Sequence, residues 1–367
     1  MLKALGKVPG LFDPLDDLPG ARELLKERCE PGMSFTPENA IICLLDAGIG
    51  HFGYSARDVY GAVFNYKSII EDHMEAFDIQ YPELLAAVTA LAKNNSPKHK
   101  IANRILAISP VDGEPFVKVK WRVNFKSNWI ARSVLRKLGQ VQDFEVRQRM
   151  SDLGRIPQAN LMAGWFFEAI VHRTIAETEG GFWTLVHMPF AVMDSPQFFM
   201  SQDATPCVPD DAQFSKAKRE VFELKSINDL STHLKDKTYY IPVDTNFSLF
   251  NAFTIDFDYS TNSAVLWILQ ITTSQSRGGS SIGYRKIREI IAILKDELRE
   301  QSPPRKKVKA TEDVTPEPVK VHYLLIVPKI DGLHLKWQFP SGWDTSYGKN
   351  DHRGDVYCLE VPVSVCY

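Results

Sequence analysis

Leu266-Trp-Ile-Leu-Gln-Ile-Thr-Thr273 is the most strongly β-forming stretch of the chain, and the fold is read outward from it. Eight residues, seven of them β-branched or aromatic or leucine, are too short for a membrane span and suit a strand. Successive side chains of a strand point to opposite faces. Gln270 and Thr272 therefore share a face, away from Leu269 and Ile271. Around this strand the pattern predicts a helix over Asn160–Thr178 and strands over Phe182–Val192, Glu220–Ser226, Tyr239–Pro242 and Phe253–Phe257. Beyond it follow a helix over Ile282–Arg299 and strands over Val321–Pro328, Leu333–Phe339 and Val356–Val363. Helices interleaved with strands predict an α/β (α+β) fold, with a mixed sheet flanked by helices.

The region before it reads differently. Ser34-Phe-Thr-Pro-Glu38 supplies cap and first-turn chemistry for a helix over Ile41–Ala47. Ser55 with Asp58 resembles a capping box, and Tyr81-Pro-Glu83 opens a helix through Leu91. Ile105–Ile108 and Phe116–Val123 predict a hairpin turning at Asp112-Gly113, followed by a helix over Trp129–Leu138. At 367 residues the chain has room for two domains, and the change of pattern places the break near 120–150.

The formal net charge of −2 hides a strong asymmetry. Residues 1–92 carry 7 Lys+Arg against 14 Asp+Glu, whereas residues 93–149 carry 13 against 4. Such a basic block suits contact with a polyanion, or a solvated face. Within it Lys118, Lys120, Arg122, Lys126 and Arg132 interleave with Trp121, Phe125 and Trp129. Cations beside aromatic rings suit phosphate contact with base stacking. The same pattern also fits a strand whose aromatic residues are core. Residues 301–320, with four prolines and eight charged residues, form a linker that cannot bury a core. There Pro304-Arg-Lys-Lys-Val-Lys309 has the form of a nuclear import signal, carried by Arg305, Lys306, Lys307 and Lys309. This predicts a nuclear destination and an import receptor as partner.

Several classes are excluded or weakened. No apolar run approaches the ~20 residues of a membrane helix. Five scattered cysteines without CxxC spacing argue against a disulfide framework or a structural zinc site. No Walker loop occurs. Gly48-Ile-Gly-His-Phe-Gly53 matches GxGxxG as text, but the capping signals before it point to a helix rather than a strand. Gly279-Ser-Ser-Ile-Gly283 matches GxSxG, yet stands several residues beyond the strand that a nucleophile elbow requires.

A set of oxygen donors remains. Glu168 lies within the apolar helix Gly164-Trp-Phe-Phe-Glu-Ala-Ile-Val-His172, where a carboxylate is costly unless it has a partner. Asp256 ends the run Phe253-Thr-Ile-Asp256. If adjacent strands bring Asp256 to Gln270, with Glu168 reaching in from its helix, the three can ligate Mg²⁺ or Mn²⁺ and activate water against a phosphodiester. Thr272, or Lys225 from Glu223-Leu-Lys225, would then line the phosphate. The bland alternative makes Glu168 a core carboxylate held by its surroundings.

The order Gly164-Trp-Phe-Phe-Glu168 with His172, Tyr239-Tyr-Ile-Pro242, Ile255-Asp256 and Leu269-Gln-Ile-Thr-Thr-Ser274 resembles that of Crinkler and retrotransposon-hot-spot proteins. Tyr323-Leu-Leu-Ile-Val-Pro328, Lys336-Trp-Gln338 and Tyr357-Cys-Leu-Glu-Val361 resemble that family's last strands, so the likeness covers roughly 120–367. It implies a restriction-endonuclease-like domain of the PD-(D/E)xK plan over 121–367. Residues 1–120 would then be a helical, winged-helix-like unit or a remnant of the ATPase that often precedes it. Gln270-Ile-Thr272 departs from the usual Glu-x-Lys, and threonine offers no ammonium to an attacking hydroxide. Two functions follow as expectations: a nuclear Mg²⁺-dependent nuclease acting on nucleic acid, DNA before RNA, or a catalytically inactive nucleic-acid- or protein-binding module on the same fold.

Overall fold

The computed structural model describes residues 37–93, 95, 102–110, 121–138, 143–188, 198–200, 213–243, 249–274, 281–301, 318–329, 336–338 and 355–363. The fold is mixed α/β, and the chain divides into two compact units, Met1–Phe166 and Phe167–Tyr367.

The first unit is largely helical. It contains α1 (Pro37–Phe52), α2 (Ala56–Ala76), α3 (Tyr81–Ala92) and the short α4 (Ala102–Ile105). The antiparallel pair β1 (Leu106–Pro110) and β2 (Trp121–Phe125) follows, then α5 (Asn128–Leu138) and α6 (Asp143–Gly154). Gln80 and Glu83 form a reciprocal capping box at the start of α3, with Pro82 in its first turn, where a missing N–H costs nothing. Gly48 and Gly50 lie inside α1, so the GxGxxG text is not a phosphate loop. Only the last glycine turns: Gly53 has φ +65°, and a Cβ there would collide with the Lys126 carbonyl at 2.0 Å. That approach seats the end of α1 directly on the entry to α5.

The second unit is built on a sheet. The helix α7 (Asn160–Glu177) leads through β3 (Val186–Met188), β4 (Phe198–Met200) and β5 (Glu220–Leu224) to the short α8 (Leu230–His233). Then come β6 (Thr238–Pro242), β7 (Ala252–Asp258), β8 (Ser263–Ile271), α9 (Ser281–Gln301), β9 (Val319–Lys329), β10 (Lys336–Gln338) and β11 (Val356–Pro362). Seven strands form one mixed sheet in the order β3-β11-β9-β8-β7-β6-β5, while β10 pairs with β4 separately. β6, β7 and β8 run as an antiparallel meander, and α9 then carries the chain to β9, parallel to β8. The expected strand over Leu266–Thr273 is thus the middle strand of the sheet.

One face of the sheet is covered by α9. Phe253, Ile255, Leu266, Ile268, Val321, Tyr323 and Leu325 pack there against Tyr284, Ile287, Ile291 and Leu294, all buried. Gly283 permits this: a Cβ would sit 2.3 Å from that of Leu249. On the other face Trp267 packs against Phe214, His322 and Tyr357 at ring separations of 4.9, 4.6 and 5.9 Å. Both faces being covered explains why β8 reads as a nearly unbroken apolar run.

Candidate functional site

The hairpin register decides which candidate residues meet. Asp258 pairs with Ser263 and Ala252 with Leu269, so Asp256 lies opposite Val265. Directly opposed residues share a face, and Val265 and Gln270 stand at odd spacing. Asp256 and Gln270 therefore point to opposite faces of the sheet, about 16 Å apart along β8 at ~3.3 Å per residue. The expected Glu168–Asp256–Gln270 cluster is not brought together. Each member has another engagement.

Gln270 lies on the face under α9 and is 1% exposed. Its Oε1 accepts from the Tyr323 hydroxyl, which also lies 3.2 Å from the Leu249 carbonyl oxygen. Its Nε2 has no acceptor among the described residues. Thr272 is just past the strand end, where its backbone N–H bonds Ile326 and its Oγ1 accepts from the Ser274 N–H at 3.0 Å.

Asp256 lies on the other face, held by Arg219. The guanidinium is fully buried and its Nη1 donates to Asp256 Oδ1 at 3.1 Å and to Thr254 Oγ1 at 2.6 Å. Nη2 reaches the Ser215 carbonyl oxygen and hydroxyl at 3.4 and 3.3 Å, and the Phe214 ring lies 5.1 Å away. A carboxylate that neutralises a buried guanidinium is a structural partner first.

Glu168 and His172 stand one turn apart on α7. His172 Nε2 is 3.3 Å from Glu168 Oε1, and its Nδ1 is 2.8 Å from the Tyr239 hydroxyl on β6. Burial, with the Glu168 charge adding to it and Arg219 opposing, raises the Tyr239 phenol well above its ordinary pKa. Tyr239 therefore stays a neutral hydroxyl. Lys225 follows β5, at the same sheet end as Gln270 but three strands away, about 14 Å at ~4.8 Å per strand. It does not replace a lysine beside Thr272.

The residue that does meet this end of β8 is Asn251. Its N–H donates to the Leu269 carbonyl oxygen, and its Oδ1 accepts from the Ile271 N–H at 2.9 Å. Sequence reading passed over it. Counting back from the four-residue turn at 259–262 pairs it with Gln270, and that count was the available signal.

In the first unit, Lys126 is committed to Asp58 at 3.0 Å, both side chains being 13% exposed. Arg122 is half-buried on β2 beside Trp121, which is 45% exposed, and Arg132 lies on α5. Lys118, Lys120, Arg305, Lys306, Lys307 and Lys309 lie outside the described residues. Two further cations of the basic block also pair with the acidic one, Arg104 with Asp72 at 3.2 Å and Lys137 with Asp78. Ser281 opens α9 ten residues after β8 ends, so the GxSxG text is a helix start and not a nucleophile elbow.

Among the described residues no three His, Cys, Asp or Glu side chains are grouped to hold a metal ion, and the donors expected for Mg²⁺ do not fit one. No described helix is long and apolar enough to cross a membrane. Comparison of the chain with known protein families, with curated proteins and with solved structures gives no match.

Proposed function

We propose that the chain is a nucleic-acid-binding module on a restriction-endonuclease-like fold that does not itself hydrolyse its ligand. The helix, three-stranded meander, helix and parallel strand of α7-β6-β7-β8-α9-β9 support the fold part of this reading. The observation that carries the non-hydrolytic part is Asn251. A metal held between the two strands needs an acid at the start of β7, opposite Gln270. A carboxamide stands there, with its oxygen already accepting from Ile271. Asp256, the nearest acid on β7, is at the far end and neutralises Arg219. The net positive segment 93–149, with exposed Trp121 next to Arg122, supports nucleic acid as the ligand. The import-signal text at 304–309 supports a nuclear setting.

The test combines cleavage and binding. Plasmid DNA incubated with the protein and Mg²⁺ or Mn²⁺ is expected to remain supercoiled. Fluorescence anisotropy with a duplex oligonucleotide should give binding that weakens steeply with salt. Nicking by the wild type that Asp256→Ala abolishes would restore the metal-dependent nuclease reading. Absence of binding at about 50 mM salt, where counterion release favours association, would remove nucleic acid as the ligand.

A further inference from the structure

One buried titratable group of the first unit has a fixed tautomer and an unmet nitrogen. His73 of α2 is 1% exposed, and its Nδ1 lies 2.8 Å from the Ile69 carbonyl oxygen. A carbonyl oxygen only accepts, so the ring proton is on Nδ1 and Nε2 is a bare lone pair. Nε2 has no hydrogen-bond partner among the described residues and stands 3.8 Å from Asp58 Oδ2. The same carboxylate oxygen accepts from the Lys126 ammonium at 3.0 Å. One oxygen thus faces two basic groups, of which only Lys126 is charged while the imidazole is neutral. The other charged and titratable neighbours are few. Arg104 of α4 is held by Asp72 at 3.2 Å, and His51 of α1 reaches the ring only through Phe52 and Trp129.

We propose that Asp58, His73 and Lys126 form a proton-operated latch, in which a proton on His73 draws the Asp58 carboxylate to Nε2 and releases the Lys126 ammonium to a phosphate of the nucleic acid. The phosphate half rests on the nucleic-acid reading above. The proton turns a lone pair that faces a carboxylate into an N–H that donates to it. Burial opposes this proton most, the Ile69 carbonyl and Asp58 favour it, and Lys126 and Arg104 oppose it. The latch therefore opens below about pH 6.5, the ordinary histidine value. Linkage is reciprocal. Because Lys126 disfavours the proton on His73, that proton weakens the hold on Lys126 by the same factor. Only the side chain is let go. The Lys126 N–H donates to the Ile105 carbonyl oxygen at 2.9 Å, and its own carbonyl is packed against Gly53.

Labelling of lysine amines with an acylating reagent, read by peptide mass spectrometry on the full chain without nucleic acid, tests the latch alone. The ratio of Lys126 to the exposed Lys93 cancels the pH dependence of the reagent. Between pH 7.5 and 5.5 the wild-type ratio should rise about fivefold, the low end of couplings between linked sites. His73→Phe keeps a ring against Phe52 but takes no proton, so its ratio should stay low. Asp58→Asn should hold the ratio high at both pH values. A duplex oligonucleotide then tests the phosphate half. From pH 7.5 to 5.5 the slope of log affinity against log salt should steepen by about 0.9, one added phosphate contact. His73→Phe should lack that increment, and the difference between the two proteins removes the contribution of other histidines. Thermal unfolding at both pH values checks that each variant folds. A wild-type ratio independent of pH overturns the latch, as does an equal rise in His73→Phe. A rising ratio with unchanged salt slopes overturns the phosphate half alone, and absence of duplex binding removes that half together with the nucleic-acid reading.

Discussion

The two units bury charge in opposite ways. In the first, Asp58 of α2 meets Lys126 just before α5, and the buried His73 lies 3.8 Å from the same carboxylate. The pair joins an acidic stretch of sequence to a basic one, as do Arg104 with Asp72 and Lys137 with Asp78. Part of the charge asymmetry along the chain is thus matched within the fold. In the second unit one guanidinium is sunk among apolar rings and strands, with Asp256, Thr254 and Ser215 collected around it. A block of like charge in the first unit belongs partly to the fold, while a single arginine before β5 organises the second.

That contrast predicts unequal costs. The largest effect is expected from Asp256→Ala, which leaves Arg219 buried without its counter-charge. Breaking a buried pair by removing one partner costs about 3–5 kcal/mol, and partial exposure of Asp256 puts the value at about 3 kcal/mol. Urea unfolding checks it, and a loss under about 1 kcal/mol, the range of an exposed pair, would show Arg219 to be satisfied without the carboxylate. Nuclease assays on this variant need a parallel stability measurement for the same reason.

The second prediction separates the units by pH. Burial, chiefly, lowers the His73 pKa, with Lys126 and Arg104 helping and the Ile69 carbonyl and Asp58 opposing. The folded state therefore holds His73 neutral where the unfolded chain takes up a proton. Stability is full above the unfolded value near 6.5 and falls as the pH drops below it. Burial raises the Asp58 pKa, but hydrogen bonds from Ser55 and Lys126 and the charges of Lys126 and His73 outweigh this, and the net shift is downward. A second loss in the first unit is thus expected below about pH 3.8, the ordinary Asp value. Peptide-resolved hydrogen exchange at pH 7.5 and 5.5 should show α2 opening more readily at the lower pH, after correction for intrinsic rates, with β8 little changed. Equal sensitivity of both peptides would remove His73 as the cause.

The smallest effect is expected at the surface. Lys137→Ala removes an ion pair whose side chains are 39% and 72% exposed. Such pairs contribute about 0–1 kcal/mol, so thermal unfolding should move little and less still in high salt. A larger loss would mean that the acidic and basic blocks act as a network.

The strands and long helices of the second unit were legible because their apolar runs are long and bounded by turns. The pattern places the elements at 263–271 and 281–301 within three residues at each end. The candidate site was legible only in part. Glu168 stands out in the sequence as a carboxylate in an apolar helix, and His172 on the same helix lies 3.3 Å from it. Asp256 was misplaced because facing depends on hairpin register, and a one-residue change in the turn moves every side chain to the opposite face. Asn251 precedes the apolar run and carries no charge, so nothing local marks it. Arg219 and the Asp58–Lys126 pair join segments 37 and 68 residues apart, and no local pattern encodes such meetings.

The edge of the sheet has a consequence for the order of synthesis. β3, at 186–188, finds its place only beside β11, at 356–362. β11 in turn needs β9 on its other side. A chain emerging from the ribosome can close the β6-β7-β8 meander early, but β3 must wait about 170 residues for its partner. A translation stop before Val356 would therefore remove one strand and strand a second, at opposite ends of the coding sequence for this unit.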